Sequence, residues 1–275
     1  MTVSQNWQPF EGNVQQIRQR FPSPLMALVQ GKVPALVLRG AYNPDHCRSL
    51  IDRFYQRGLL YDPRQTDHLH RVDIGTSFGT HRADRQKFFA HAEQTQTLFS
   101  TLFQGYDDPV EMIYHTLAQL AMEKEVKTSR EADGQLYGPA IFRTYYAGLG
   151  HGLHFDSVAK RTKAFDYQIS RFQYQFAGVL CFQNSECDGK NGKTFLYDCS
   201  WNPDIQEQLN YQRFRQYASE ESVDCIQINL EPGDLYFFFS ENIHELPSIT
   251  GNQPRIVLAI FFAMSLDDNE IYVWS

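Results

Sequence analysis

In the stretch GHGLHFDSVAK, residues 150–160, His154 and Asp156 stand two apart. Successive side chains of a β-strand point to opposite faces, so on a strand this imidazole and this carboxylate project together from one face. Such a pair arises by chance on many surface strands, and a third group decides its use. Ninety residues on, in EPGDLYFFFSENIHELPSITGNQPRIVLAIFF (231–262), a PGD turn leads into the apolar strand LYFFFS. His244 then begins a segment that turns through Pro247 and Gly251 before Arg255 opens another apolar strand. Two histidines and one carboxylate from separate strands can occupy one face of an octahedral ferrous ion, leaving three positions for a bidentate cosubstrate and O2. If that cosubstrate is 2-oxoglutarate, its distal carboxylate needs a planar cation at a fixed distance from the metal. Arg255, eleven residues after His244 at the head of a returning strand, is suited to the task.

These groups need a frame of strands, and the second half of the chain supplies one. From residue 139 onward, β-branched and aromatic runs alternate with Gly, Asn, Asp and Pro clusters: AIFRTYYAG, FQYQFAGVLCFQN, GKTFLYD, DCIQINL, GDLYFFFS, RIVLAIFFAM and EIYVWS. The texture predicts a sandwich or barrel of about eight short strands. The first 135 residues instead carry helical spacing in CRSLIDRFYQRGLL (47–60), RQKFFAHAEQTQTLFSTLF (85–103) and PVEMIYHTLAQLAMEKEVK (109–127). Asp84 and Asp108 are expected helix starts, the latter with Pro109 in the first turn. No linker or internal repeat interrupts the chain, which is therefore expected to be one α+β domain over 1–275, with a mostly helical support layer (1–135) packed on a β-core (139–275).

Composition narrows the partners. With 275 residues, 42% of them hydrophobic and 14% aromatic, the chain can bury a sizeable core. A net charge of −7 with scattered Lys and Arg argues against nucleic acid and favours a small molecule. No basic-then-apolar leader precedes MTVSQNWQPF, and the longest apolar run, IVLAIFFAM (256–264), is far too short to span a bilayer. The expectation is a cytoplasmic protein that touches no membrane. Five cysteines without a CxxC pair fit free thiols in a reducing compartment.

Taken together, the motifs resemble those of the Fe(II)/2-oxoglutarate-dependent dioxygenases, whose core is a double-stranded β-helix (jelly-roll, cupin-like); the prolyl-hydroxylase-like and natural-product-tailoring members look closest. The resemblance spans residues 139–265: FRTYYAGLGHGLHFD looks like the family's strand leading to HxD, FAGVLCFQN with NGKTFLYD like its core strand and Gly-x-Thr strand, and EPGDLYFFFSENIHELPSITGNQPR like its PGD turn, distal histidine and cosubstrate arginine. An RGAYNPDHCRSLIDRF segment near the start looks like the family's strand-to-helix opening. The resemblance implies His154, Asp156 and His244 as Fe(II) ligands, Arg255 on 2-oxoglutarate, and Tyr146 or its neighbour Tyr145 on the same carboxylate. Two departures matter. Val257 stands where some members have the serine of Arg-x-Ser, so a hydroxyl partner must come from elsewhere. The halogenating branch carries Gly or Ala in place of the carboxylate so that chloride can reach the iron, and Asp156 argues against halogenation here.

Other polar residues have plainer readings. His151, flanked by glycines, is a pocket-lining residue and not a ligand; His68, His70 and His81 in HLHRVDIGTSFGTHR lack a partner that would complete a second metal site. Arg143 leads toward the metal strand, and Arg161 and Arg171 bracket KAFDYQIS in a lid-like insert at 157–172. The three are either a solvated face or a clamp for an anionic substrate. The implied enzyme oxidises an anionic or zwitterionic small molecule, such as a mycosporine-like amino acid, by hydroxylation or by dealkylation through it. Its rivals are a prolyl- or lysyl-type protein hydroxylase and a non-catalytic jelly-roll metal binder.

Overall fold

The computed structural model describes residues 7–61, 70–81, 83–122, 124–161, 167–185 and 193–275, apart from the side chain of Arg161. Helices α1 (Val14–Arg20), α2 (Pro24–Val29), α3 (Pro44–Gln56), α4 (Phe78–His81), α5 (Arg85–Leu102) and α6 (Pro109–Ala121) occupy most of the first half. The expected starts of the two long helices form: the Asp84 carboxylate accepts from the backbone N–H of Lys87, and that of Asp108 from Val110 and Glu111. Short helices α7 (Val158–Arg161), α8 (Pro203–Asn210) and α9 (Phe214–Glu220) follow in the second half.

The first four strands are β1 (Phe10–Glu11), β2 (Ala35–Leu38), β3 (Val72–Ile74) and β4 (Glu125–Thr128). Next come β5 (Ile141–Tyr145), β6 (His151–His154), β7 (Tyr174–Gln183) and β8 (Thr194–Ser200). The last are β9 (Cys225–Ile228), β10 (Leu235–Phe239), β11 (Asn242–Leu246), β12 (Arg255–Met264) and β13 (Glu270–Trp274). They build two sheets. The larger runs β1-β2-β10-β7-β12-β13-β4, with β5 pairing both β12 and β3; the smaller runs β6-β11-β8-β9. The first half is thus not only a helical support, since β1–β4 extend the larger sheet. Runs such as ALVL, buried at every position, are too short to show a period and could not be told from helix by pattern. Helices α8 and α9 were likewise not expected, and the segment that His244 begins remains strand as far as Leu246 before it turns.

Alternation on the long strands sorts the layers. Phe176, Leu180 and Phe182 on β7, Leu235, Phe237 and Phe239 on β10, and Ile256, Leu258, Ile260 and Phe262 on β12 point to one face. There they meet Leu50 and Phe54 of α3, Phe99 of α5, and Ile113 and Leu117 of α6. Each such side chain contributes roughly 1.5–3 kcal/mol by leaving water. The opposite face carries Ala177, Val179, Tyr236, Phe238 and Val257 and packs on Leu196, Ile226 and Ile228 of the smaller sheet. The order of layers is helices, large sheet, small sheet. The PGD turn locks this arrangement: Asp234 accepts from the backbone of Gly40 (2.8 Å) and Glu231 (2.8 Å) and from Arg39 Nη1 (2.6 Å). Gly233 sits at φ +93°, and a Cβ there would stand 2.3 Å from the Tyr42 carbonyl oxygen, so only glycine fits. Cys47, Cys181, Cys199 and Cys225 are free thiols, and Cys187 lies outside the described residues. Among the described residues no helix is long and apolar enough to cross a membrane.

Candidate metal and cosubstrate site

His154 ends β6 directly opposite His244 on β11, and Asp156 stands just past the end of β6. The Nε2 atoms of the two histidines each lie 3.5 Å from Asp156 Oδ2. The ring centroids are 4.1 Å apart, and the three ligating atoms fall within 4.8 Å of one another. What aims these rings is visible at their other nitrogens. His154 Nδ1 bonds the Gly152 carbonyl (2.6 Å) and His244 Nδ1 the Asn242 carbonyl (2.8 Å). A carbonyl only accepts, so each Nδ1 carries the proton and each Nε2 presents a lone pair to the centre. Two imidazole nitrogens and one carboxylate oxygen converging from three chain positions fit a ferrous ion with open coordination sites.

The Asp156 loop is pinned to the turn between β10 and β11. Asp156 N–H donates to the Ser240 carbonyl (2.8 Å), and Ser240 Oγ donates to the Asp156 carbonyl (3.0 Å). Glu241, 4% exposed, accepts from Ser157 Oγ (3.0 Å) and pairs with Lys160. Gly150 allows the preceding turn to press against β11, since a Cβ there would stand 2.5 Å from the Leu246 carbonyl oxygen. Burial opposes ionisation of Asp156, but with both Nε2 atoms protonated the charge of His154 and hydrogen bonds from both histidines outweigh it and hold the carboxyl well below its usual range, a role that a bound cation takes over when the Nε2 lone pairs turn to it. Burial first, and then His154, lower the pKa of His244, favouring the neutral ring a metal requires.

Beside the triad opens a cavity of about 80 Å³ walled by both sheets. Arg255, 5% exposed, lines it, with its guanidinium carbon 6.0 Å from the centre of the Tyr145 ring. Tyr236 and Thr194 complete that wall, the Tyr236 hydroxyl donating to Thr194 Oγ1 at 3.3 Å. Burial raises the Tyr236 pKa, while the nearby Arg255 charge and the Thr194 bond pull it down. Ala177, Val179, Phe238 and Val257 add apolar surface to the lining. A buried arginine, two phenols and a hydroxyl in a recess next to a triad that could hold a metal ion fit the distal carboxylate of 2-oxoglutarate.

The structure brings His154, Asp156, His244, Arg255, Tyr145, Arg143 and His151 to this one cavity. His151 stacks on His154 with centroids 3.5 Å apart, and burial, followed by the charge of His154, lowers its pKa to about 3. Three expected residues are elsewhere or undescribed. Tyr146, next in sequence to Tyr145, must point to the opposite face; it is buried against the helical layer and its hydroxyl donates to the Tyr61 carbonyl at 2.6 Å. Arg171 is held on the far side by Asp268 (3.1 Å) and Glu270 (2.9 Å) and lies over Tyr272, away from the cavity. The Arg161 side chain lies outside the described residues, as does His68. His70 bonds the Tyr61 hydroxyl at 2.5 Å, whereas His81 packs edge-on against His91. Sequence reasoning missed Tyr236 and Thr194. The alternation of LYFFF, phased by the PGD turn, carried the signal for Tyr236.

The chain matches the family described as carrier-protein-independent halogenase WelO5 over residues 7–275. Among solved structures it is similar to an N-substituted L-amino acid dioxygenase from Burkholderia ambifaria AMMD. The two are 16% identical, 91% of this chain and 90% of that chain are covered, and the TM-score is 0.60. The same dioxygenase in complex with alpha-KG matches at 15% identity over 92% and 91% of the two chains, with a TM-score of 0.55. A search of curated proteins found no match to this sequence.

Proposed function

Because the chain belongs to the carrier-protein-independent halogenase WelO5 family, enzymes that work with Fe(II), 2-oxoglutarate and O2, we propose that it oxygenates a small molecule and does not chlorinate it. Asp156 carries this reading. Its carboxylate stands 3.5 Å from both Nε2 atoms, in the position that a halogenating member leaves open for chloride. The two facing sheets are read as the double-stranded β-helix of this enzyme class, with the whole chain forming one catalytic domain.

When bound, Fe(II) would let O2 react with 2-oxoglutarate, one oxygen atom leaving in succinate as CO2 is released and the other serving to oxidise an unactivated C–H bond. The chain's own residues do the positioning. His154, Asp156 and His244 hold the metal on one face. Arg255 grips the distal carboxylate of 2-oxoglutarate, while Tyr236 supplies the hydroxyl that Val257 cannot, and Tyr145 covers the guanidinium. Ala177, Val179 and Phe238 keep water from that end of the cavity, which strengthens the arginine–carboxylate pair. Arg143 and His151 stand toward the side left for the substrate, which we take to be an anionic or zwitterionic, amino-acid-derived compound such as a mycosporine-like amino acid. A target carbon bearing nitrogen or oxygen would yield dealkylation after hydroxylation.

Substrate-stimulated succinate release across amino-acid-derived metabolites, with mass spectrometry of products in chloride buffer, tests the reading. Oxygenated products without chlorinated ones are expected, and Asp156→Gly should lose oxygenation. Chlorination by the unaltered enzyme would overturn it. Stimulation only by peptides would move the substrate to a protein side chain.

A further inference from the structure

Resting on the oxygenase reading of this cavity, we propose that Arg143 is the receptor for a carboxylate of the substrate, and that the Arg71–Asp73 ion pair beside it keeps its charge free for that role. The two arginines of the cavity occupy different rows of the large sheet. On β12, Arg255 is paired with Tyr145, and the next row on the same face pairs Val257 with Arg143. Arg143 extends away from Arg255, for its guanidinium carbon lies 5.8 Å from the ring centre of Phe261, six residues beyond Arg255 on that strand. Its Nε is buried and has no hydrogen-bond partner among the described residues. Burying a guanidinium donor without an acceptor is costly, and an acceptor supplied by a bound ligand removes that cost.

An acceptor from the protein stands close by yet is withheld. Asp73 on β3 is the direct cross-strand partner of Arg143, so both side chains leave the same face with Cβ atoms expected about 4.5–5.5 Å apart. Both Asp73 oxygens are nevertheless taken by Arg71, whose Nε and Nη2 reach them at 2.7 Å each. Arg71 is itself held over the Tyr145 ring, 5.6 Å from its centre. Among the described residues the other carboxylate at the cavity besides Asp156, that of Glu245, accepts from Tyr197 (2.9 Å) and Arg215 (2.5 Å). Asp156 is committed to the two histidines. Arg143 is therefore a cation facing the metal cavity from which neighbouring carboxylates have been drawn off, with Phe261 as a flat apolar surface beneath it. The ligand that satisfies it is a small molecule carrying a carboxylate next to an apolar or planar body. Arg171, which the sequence offers as a clamp, cannot serve, because its charge is spent on Asp268 and Glu270.

The test uses the full chain loaded with diamagnetic, redox-inert Zn(II) and 2-oxoglutarate, so that no turnover is needed. N-acetyl-L-phenylalanine and its amide, which differ only in the carboxylate, are titrated by calorimetry while the Arg143 Nε–H resonance is followed by nitrogen-edited NMR. The acid should bind at least about tenfold tighter than the amide and shift that resonance. Arg143→Gln should erase the preference and Arg143→Lys should retain part of it. Arg71→Gln should also reduce it severalfold, because the released Asp73 turns to Arg143, and Arg71→Gln with Asp73→Asn should restore it. An acid preference that survives in Arg143→Gln, or none in the unaltered protein, overturns the proposal. So does a weakened grip on 2-oxoglutarate in Arg143→Gln with the acid preference intact, which would make Arg143 a cosubstrate residue. Should Arg143→Gln fail to fold, the Arg71 pair of variants decides. Failure of the oxygenase reading shows separately, as absence of succinate formation by the Fe(II) enzyme.

Discussion

The small sheet and the large sheet hold their functional groups by different means. In the small sheet the metal-binding strands are short, and the pairing of β11 shifts register on both sides of His244. Orientation there comes from side-chain bonds to nearby backbone: two imidazole Nδ1 atoms on carbonyls, and a loop pinned by Ser240 and Glu241. In the large sheet Arg255, Val257 and Phe261 stand on a ten-residue strand paired on both sides, by β5 and β7, and backed by the helical core. Metal binding, as proposed, should thus be sensitive to local changes that leave the fold intact, whereas the wall that carries Arg255 is held by the pairing of β12 on both sides. Bulges commonly re-aim side chains near active sites, and here the irregular strand carries His244, the proposed ligand.

The sharpest way to break this contrast is at the metal. His154→Ala or His244→Ala should abolish Fe(II) binding and succinate formation, because two remaining ligands do not define a face, while circular dichroism and thermal unfolding stay near those of the unaltered chain. Loss of folding would show that the small sheet is not the separable part.

On the large sheet, Arg255→Ala should leave Fe(II) in place and raise the 2-oxoglutarate requirement about a hundredfold or more, since removing one partner of a buried pair costs about 3–5 kcal/mol. Titration of 2-oxoglutarate against succinate release reads this directly. An unchanged requirement would pass the role to Arg143. A smaller effect is expected at Glu241, which touches no ligand atom but fixes the Asp156 loop through Ser157 and Lys160. Glu241→Gln should weaken Fe(II) about tenfold, the scale seen for groups that orient metal ligands, with 2-oxoglutarate affinity measured at saturating metal unaltered. If metal affinity does not move, the loop is held by Ser240 alone.

How much of this was legible beforehand follows the same division. The seven apolar strand runs of the second half and the long helices α3, α5 and α6 showed in the sequence because they bury whole faces. That the triad and Arg255 would meet at one cavity was legible because chemistry restricts residue type and spacing. What stayed hidden depends on contacts far apart in the chain. Strand β3 is three residues long, and only its pairing with β5 places Asp73 opposite Arg143 and Arg71 beside Tyr145. The choice between Tyr145 and Tyr146 turned on the phase of one strand, which the pairing of Tyr145 with Arg255 sets. Arg171 misled for the converse reason: a cation near a metal strand in sequence is claimed by Asp268 and Glu270, a hundred residues away.

Arg171 therefore gives the control with the smallest expected effect. It is 41% exposed and Glu270 30%, so the pair is screened by solvent, and Arg171→Gln should change stability by no more than about 1 kcal/mol and leave carboxylate binding in the cavity unaltered. The pH dependence has a definite sign. The Glu270 pKa is lowered, chiefly by its hydrogen bond to Lys127 and then by Arg171, so the folded state binds its proton less readily than the unfolded chain. Stabilisation from these contacts is present above the ordinary carboxylate range and disappears as pH falls through the lowered Glu270 pKa. Denaturant midpoints of Arg171→Gln and the unaltered chain should accordingly differ most near neutral pH and converge in acid, with the residual stabilisation at neutral pH traceable to Lys127. A difference that grows on acidification would show that Arg171 acts through packing on Tyr272 and not through charge, and a loss of acid-over-amide preference in this variant would return it to the substrate side that its ion pairs now exclude.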